Sequence, residues 1–264
     1  PVLVGGGHSW ASVSAATYYA CGMTTQGLAY CWGRNPHGQF GDGTTTSQPI
    51  PVVAGGAQTW GSVSAGESHT CGTTESGLAY CWGRNSQGQI GDGSNTNRVT
   101  PVLVSGGYTW TSINGDLSGN STTGLTCGVL KDSEAAYCWG YNGQGQLGDG
   151  SNTDSNVPVL VSGGLSWESI SADSRHVCGV TTADTAYCWG YNVYGQIGDG
   201  TDTWTNTPTL VSGVHSWASV SPGGDQTCGV TTAGEAYCWG RNNYGQIGDG
   251  TTIDRWVPVK VSGS

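Results

Sequence analysis

Residues Gly77–Thr96 read GLAYCWGRNSQGQIGDGSNT, and this stretch decides the fold. It stands earlier as GLAYCWGRNPHGQFGDGTTT from Gly27 and returns around Tyr137, Tyr187 and Tyr237. The proline opening each Val-rich segment falls at Pro1, Pro51, Pro101, Pro158, Pro208 and Pro258, at intervals of 50, 50, 57, 50 and 50 residues. The chain is therefore expected to be one repeat domain over 1–264. It has five repeats (1–50, 51–100, 101–157, 158–207, 208–257) and a terminal stub, PVKVSGS, at 258–264. The third repeat is longer, with most of the excess between Trp110 and Cys127 and one residue near Lys131.

Within the second repeat, Pro51–Ala54, Trp60–Ser64, His69–Thr74 and Leu78–Gly83 read as four short strands. Asn85–Thr96 reads as a Gly/Asn/Asp-rich loop. No segment sustains a 3.6-residue apolar period, so helix is not expected. Short strands separated by frequent turn signals fit a sandwich, barrel or propeller. Four strands per repeat of about 50 residues favour an all-β propeller of five four-stranded blades plus a terminal strand stub.

The cysteines fall in pairs: Cys21/Cys31, Cys71/Cys81, Cys127/Cys138, Cys178/Cys188 and Cys228/Cys238. Folding the second hairpin about Ser76 puts Cys71 opposite Cys81 and Gly72 opposite Tyr80. Residues directly opposite in an antiparallel pair lie within disulfide range. A three-residue loop needs positive φ at its last position, and Gly27, Gly77, Asp184 and Gly234 all tolerate it. Other pairings and zinc are the alternatives, though the spacing does not match the usual short zinc-ligand motifs. Ten cysteines in an acidic chain of this size point to an oxidising compartment, hence an extracellular or cell-surface location.

Leu78, Tyr80 and Trp82 share one side of their strand. The Gly72 position leaves room for the Tyr80 ring, and Trp82, with Trp32, Trp139, Trp189 and Trp239, is expected to bury against the neighbouring blade. Trp10, Trp60, Trp110, Trp167 and Trp217 read as core in the same way. Only Trp204 and Trp256 fall outside the pattern.

Eighteen acids against eight bases give a net charge of −10, which argues against a nucleic-acid partner. No apolar run is long enough for a membrane helix, so membrane insertion is not expected. Catalytic signatures are missing, and no enzyme is expected. His69 and His176 occupy a repeat position that is Tyr19, Leu125 and Gln226 elsewhere, which suits blade packing better than a general base. Asp42, Asp92, Asp149, Asp199 and Asp249 recur in GDG[ST] and read as Asx-turns. A calcium ion is the alternative that such loop oxygens allow; no other cofactor is expected. Positions that differ between repeats are the better binding candidates. These are Arg34, Arg84, Tyr141, Tyr191 and Arg241 after each C-W-G, then Tyr194 and Tyr244, and Trp204 and Trp256 before the next proline. Asn120-Ser121-Thr122 is a sequon for glycosylation in a eukaryotic secretory host.

The pattern H-[TV]-C-G, G-x-A-Y-C-W-G-x-N-x-x-G-Q-[IL]-G-D-G-[ST] and P-V-x-V resembles the regulator-of-chromosome-condensation (RCC1) repeat, most closely its secreted, cysteine-containing bacterial varieties. The resemblance implies four-stranded propeller blades, usually seven to a ring. The family includes a guanine-nucleotide exchange factor, but the paired cysteines, acidity and absence of a basic targeting stretch point elsewhere. The expected function is a non-enzymatic extracellular scaffold or adhesion protein, self-associating head to tail into a filament or surface layer. The alternative is a soluble secreted binding module, a lectin or an enzyme inhibitor, with a protein or glycan partner. The Val-rich segment occurs at both Pro1 and Pro258, although a five-blade ring needs only one copy.

Overall fold

The computed structural model describes residues 3–56, 58–116 and 123–263. Asn120 lies outside them. Every element among the described residues is a strand, and the twenty strands form five antiparallel sheets of four. Blade 1 contains β1 (Trp10–Ala15), β2 (Tyr19–Thr24), β3 (Ala29–Gly33) and β4 (Gln48–Val53). Blade 2 contains β5 (Trp60–Ala65), β6 (His69–Thr74), β7 (Ala79–Gly83) and β8 (Arg98–Leu103). Blade 3 contains β9 (Trp110–Gly115), β10 (Leu125–Leu130), β11 (Ala136–Gly140) and β12 (Ser155–Leu160). Blade 4 contains β13 (Trp167–Ala172), β14 (His176–Thr181), β15 (Ala186–Gly190) and β16 (Thr205–Leu210). Blade 5 contains β17 (Trp217–Gly223), β18 (Gln226–Thr231), β19 (Ala236–Gly240) and β20 (Arg255–Lys260). The expected all-β, five-blade architecture is present.

The blades are cut from the chain at a different phase from the sequence repeat. The strand around Pro51 is the outer strand of blade 1, where Val52 pairs with Cys31. The fourth strand of blade 2 is Arg98–Leu103, paired with β7. Each of these strands returns from the long C-W-G loop and pairs antiparallel with the third strand of its own blade before the chain crosses to the next one. In the same way Pro258–Lys260 of the terminal stub completes β20. At the other end, Leu3 and Val4 belong to no strand, and Leu3 is 96% exposed.

Each central hairpin has the expected register. Cys71 lies opposite Cys81 and Gly72 opposite Tyr80. The turn positions Gly27, Gly77, Asp184 and Gly234 have positive φ, and the longer third hairpin uses Glu134 there. Five disulfides join Cys21–Cys31, Cys71–Cys81, Cys127–Cys138, Cys178–Cys188 and Cys228–Cys238. The space at Gly72 serves a different ring from the one expected. A Cβ there would lie 2.7 Å from Trp60, not Tyr80. The first-strand indole crosses the hairpin at that point, and Tyr80 meets it edge-on at 6.0 Å.

Packing between blades follows one rule four times. The second strand of each blade packs on the first strand of the next: β2 on β5, β6 on β9, β10 on β13, β14 on β17. The third-strand indole reaches back across this seam. Trp82 donates to the carbonyl of Gln39 at 2.9 Å, Trp139 to Gln89 at 2.9 Å, Trp189 to Gln146 at 2.8 Å and Trp239 to Gln196 at 2.9 Å. All four indoles are fully buried. A buried N–H without a partner would cost its whole desolvation penalty, so each bond also fixes the angle between blades.

No comparable packing joins blade 5 to blade 1 among the described residues. The exposures agree. Val13 on β1 is 56% exposed, whereas its equivalents Ile113 and Ile170 are each 3% exposed. Val230 on β18 is 40% exposed, whereas Val180 is 0%. Among the described residues, the five blades therefore form an open arc, with the outer faces of blades 1 and 5 uncovered.

Candidate binding surface

The antiparallel order puts the first-to-second-strand loops and the third-to-fourth-strand loops at the same end of every blade. That end carries most of the variable positions. The longer loops are wired internally by an asparagine that is fully buried in each blade: Asn35, Asn85, Asn142, Asn192 and Asn242. Asn85 donates to the carbonyls of Ser94 at 2.9 Å and Thr96 at 3.1 Å and accepts from the Ile90 amide at 2.9 Å. This role was legible in the recurring N-x-x-G-Q spacing, yet sequence reasoning missed it. The GDG[ST] aspartates form Asx-turns. Oδ1 of Asp42, Asp92, Asp149, Asp199 and Asp249 each accepts from the amide two residues on, at 2.9 Å. Hydrogen bonds from Thr251 and Arg255 hold the Asp249 carboxyl down at about 2.

The two histidines lie in the seams. His69 Nε2 is 2.8 Å from Thr126 Oγ1, and His176 Nε2 is 2.7 Å from Thr227 Oγ1. Each threonine hydroxyl gives its proton to a glutamine carbonyl, Thr126 to Gln89 at 2.7 Å and Thr227 to Gln196 at 2.8 Å. The imidazoles must then be the donors through Nε2–H, and burial keeps both rings neutral. Burial pushes His69 down to about 4 and His176 to about 3. The repeat equivalents obey the same polarity rule. Tyr19 meets Thr70 at 2.9 Å, whereas Leu125 and Val177 share one apolar cluster.

Three carboxyls are buried near these seams: Glu67, Asp116 and Asp173. Burial raises all three, Asp116 most strongly. Asp116 Oδ1 is 3.9 Å from His69 Nδ1, and among the described residues neither of its oxygens has a hydrogen-bond partner.

A groove and a side-chain cluster on the loop face gather the candidate residues. Between blades 1 and 2, Tyr18, Arg34, His37, Glu67, Ser68 and Arg84 line a groove of about 450 Å³. Arg34 stacks over Tyr18 at 5.3 Å. Between blades 4 and 5, Asp225 accepts ion pairs from both Arg175 and Arg241. Arg241 lies over Tyr194 at 4.8 Å, Arg175 over Tyr191 at 5.6 Å, and Trp204 is 5.0 Å from Tyr191. Tyr141 is half-buried beside Gly143, apart from both groups. Tyr244 is exposed. Trp256 is not in a loop: it lies on β20 and packs over Gly195 of blade 4. Among the described residues, no helix is long and apolar enough to cross a membrane.

Family models described as the regulator of chromosome condensation (RCC1) repeat match residues 26–72, 76–115, 134–180, 184–230 and 233–264. A second model of the same description matches 10–39, 62–89, 167–196 and 217–246. No curated protein matches the chain. Human WBSCR16 is similar in structure, with TM-score 0.80 and 20% identity over 95% of this chain and 66% of that one. Prp20p from Saccharomyces cerevisiae, whose structure was described with its binding to Gsp1p and histones, gives TM-score 0.82 and 20% identity over 98% and 64%. Yeast RCC1 (Prp20) bound to Kap60 gives 0.81 and 19% over 98% and 62%. This chain thus spans less than two thirds of the length of those proteins.

Proposed function

The chain belongs to the regulator of chromosome condensation (RCC1) repeat family, and on that premise we propose that it is a non-enzymatic, protein-binding scaffold of the cell exterior whose arcs join head to tail. One observation carries this reading: the two end faces hold the two halves of the seam that is made four times inside. Trp32 is the indole that meets no glutamine carbonyl among the described residues, and it is only half-buried. Gln246 occupies the position of Gln39, Gln89, Gln146 and Gln196, and no indole reaches its carbonyl among the described residues. Val13 and Val230 are exposed on the matching faces. A heterologous contact of this kind generates rings or open filaments.

The join would be weaker than an internal seam. Blade 1 carries Ala20 where the others carry Thr70, Thr126, Val177 and Thr227, so Gln226 would meet no hydroxyl. Reversible, concentration-dependent association suits that difference. The five disulfides favour an oxidising exterior. Electron microscopy of concentrated protein should show curved or helical polymers of regular width. Dispersed single arcs at every concentration would remove the filament reading.

A second reading, a soluble module binding a protein or a glycan, is favoured by the loop-face groove between blades 1 and 2 and the aromatic–arginine cluster between blades 4 and 5. A glycan array and a pull-down distinguish its lectin and protein-binding forms.

A further inference from the structure

Four of the six arginines are committed to carboxylates: Arg98 to Asp92, Arg175 and Arg241 to Asp225, and Arg255 to Asp249. Among the described residues, Arg34 and Arg84 enter no such pair, although this chain is strongly acidic. Both line the groove between blades 1 and 2.

The repeat supplies a template for what belongs there. By repeat position, the side-chain cluster between blades 4 and 5 is the same site with different side chains. Arg84 stands where Arg241 stands, and His37 where Tyr194 stands. Tyr18 and Arg34 stand where Arg175 and Tyr191 stand, so the cation–π pair is kept with its partners exchanged. The decisive difference is Ser68, which replaces Asp225. Between blades 4 and 5 an aspartate from the blade's own loop is held by two guanidiniums. Between blades 1 and 2 the guanidiniums remain, Asp225 has no counterpart, and the one acidic lining residue, Glu67, forms an ion pair with neither.

We propose that the groove between blades 1 and 2 is a carboxylate-binding site whose ligand is an aspartate or glutamate side chain of a protein partner, held by Arg34 and Arg84. The occupant is assigned as a side chain because the equivalent arginine of blade 5 holds one, Asp225. Paired guanidinium forks suit a carboxylate geometrically. Glu67 does not take this role. It lines the groove but is largely buried, and although both guanidiniums act on it, no nitrogen of either lies within 4.0 Å. Burial and the two guanidiniums hold His37 below its ordinary value, so the positive charge here belongs to arginine and persists at neutral pH. The inference does not depend on joining of the end faces.

The test is NMR of the arginine Nε–H groups during titration with a blocked Gly-Asp-Gly peptide, its Gly-Asn-Gly twin and N-acetylneuraminic acid. The aspartate peptide should shift Arg34 and Arg84 saturably, at least ten-fold more tightly than the asparagine twin. Arg34→Gln and Arg84→Gln should each weaken binding several-fold. Ser68→Asp should install the internal carboxylate, abolish peptide binding and leave the melting temperature unchanged or raised. Equal binding of the two peptides would overturn the site, as would retained binding in Ser68→Asp. Ten-fold tighter binding of the sugar acid than of the aspartate peptide would overturn the assigned partner.

Discussion

The indole N–H of Trp82 donates to the main-chain oxygen of Gln39 at 2.9 Å, across the seam between blades 1 and 2. Trp32 is the same residue one blade earlier, but among the described residues no glutamine carbonyl meets its indole. Trp82→Phe leaves a buried carbonyl with one donor fewer and should cost about 1–3 kcal/mol. Trp32→Phe should cost less than half as much in dilute solution. Denaturant unfolding of the two variants checks this. Equal losses would mean that the seam bond does not set the difference.

Gly41 and Gly248 are repeat equivalents with positive φ, 69° and 73°. A Cβ at Gly41 would lie 2.7 Å from Trp82 Nε1, whereas at Gly248 the nearest atom is Val261 Cγ1 at 3.1 Å. Both alanine variants carry the backbone strain of a left-handed conformation, roughly 1 kcal/mol. Only Gly41→Ala adds a collision with a buried ring, for about 1–3 kcal/mol more. Melting curves should therefore rank Gly41→Ala well below Gly248→Ala, and the reverse order would contradict the open end.

Acid should loosen the seams through the histidines. Burial holds His176 at about 3, below its ordinary 6.5. The unfolded chain therefore binds the extra proton first. This contribution to stability is intact above pH 6.5 and is lost as pH falls from 6.5 towards 3. Asp225 opposes the shift and Arg175 supports it. His176→Gln copies the residue already present at Gln226 and should flatten the acid limb of the stability profile. The raised carboxyls of Glu67, Asp116 and Asp173 have the opposite sign, since falling pH relieves their buried charge. The comparison of variant with parent therefore isolates the histidine. An unchanged acid limb would rule out its titration.

Each disulfide closes a short hairpin with its cysteines 10 or 11 residues apart. Loop-closure arithmetic gives roughly 2–3 kcal/mol for such a bridge. The double variant Cys71→Ser/Cys81→Ser should lose about that much, and full reduction should unfold the chain at moderate temperature. Non-reducing peptide mapping should return the five hairpin pairs without free thiol. A linkage between blades would contradict the register.

The hairpins were legible because turn chemistry and cysteine spacing are local: Gly77 marks the loop, and Cys71 and Cys81 then face each other. The phase of the blades was not. Pro51 opens a conspicuous repeat unit, yet which neighbour its strand joins depends on a long-range pairing with Cys31. The space at Gly72 was visible, but its occupant, Trp60, comes from a strand whose crossing angle no spacing encodes. On the loop face, Arg34 and Arg84 stood out as variable positions. That Ser68 stands in for Asp225 became meaningful only when the loops were seen to converge between blades.

Mass measurement by sedimentation tests the head-to-tail join most directly, using Val13→Arg and Val230→Arg alone and mixed. Each variant disables one end face and keeps the other. The parent should grow with concentration beyond its 27.1 kDa chain mass, and each variant alone should stay at 27.1 kDa. An equimolar mixture should form a capped species of twice that mass and grow no further. A parent that stays at 27.1 kDa at every concentration, or variants that associate as the parent does, would contradict the join.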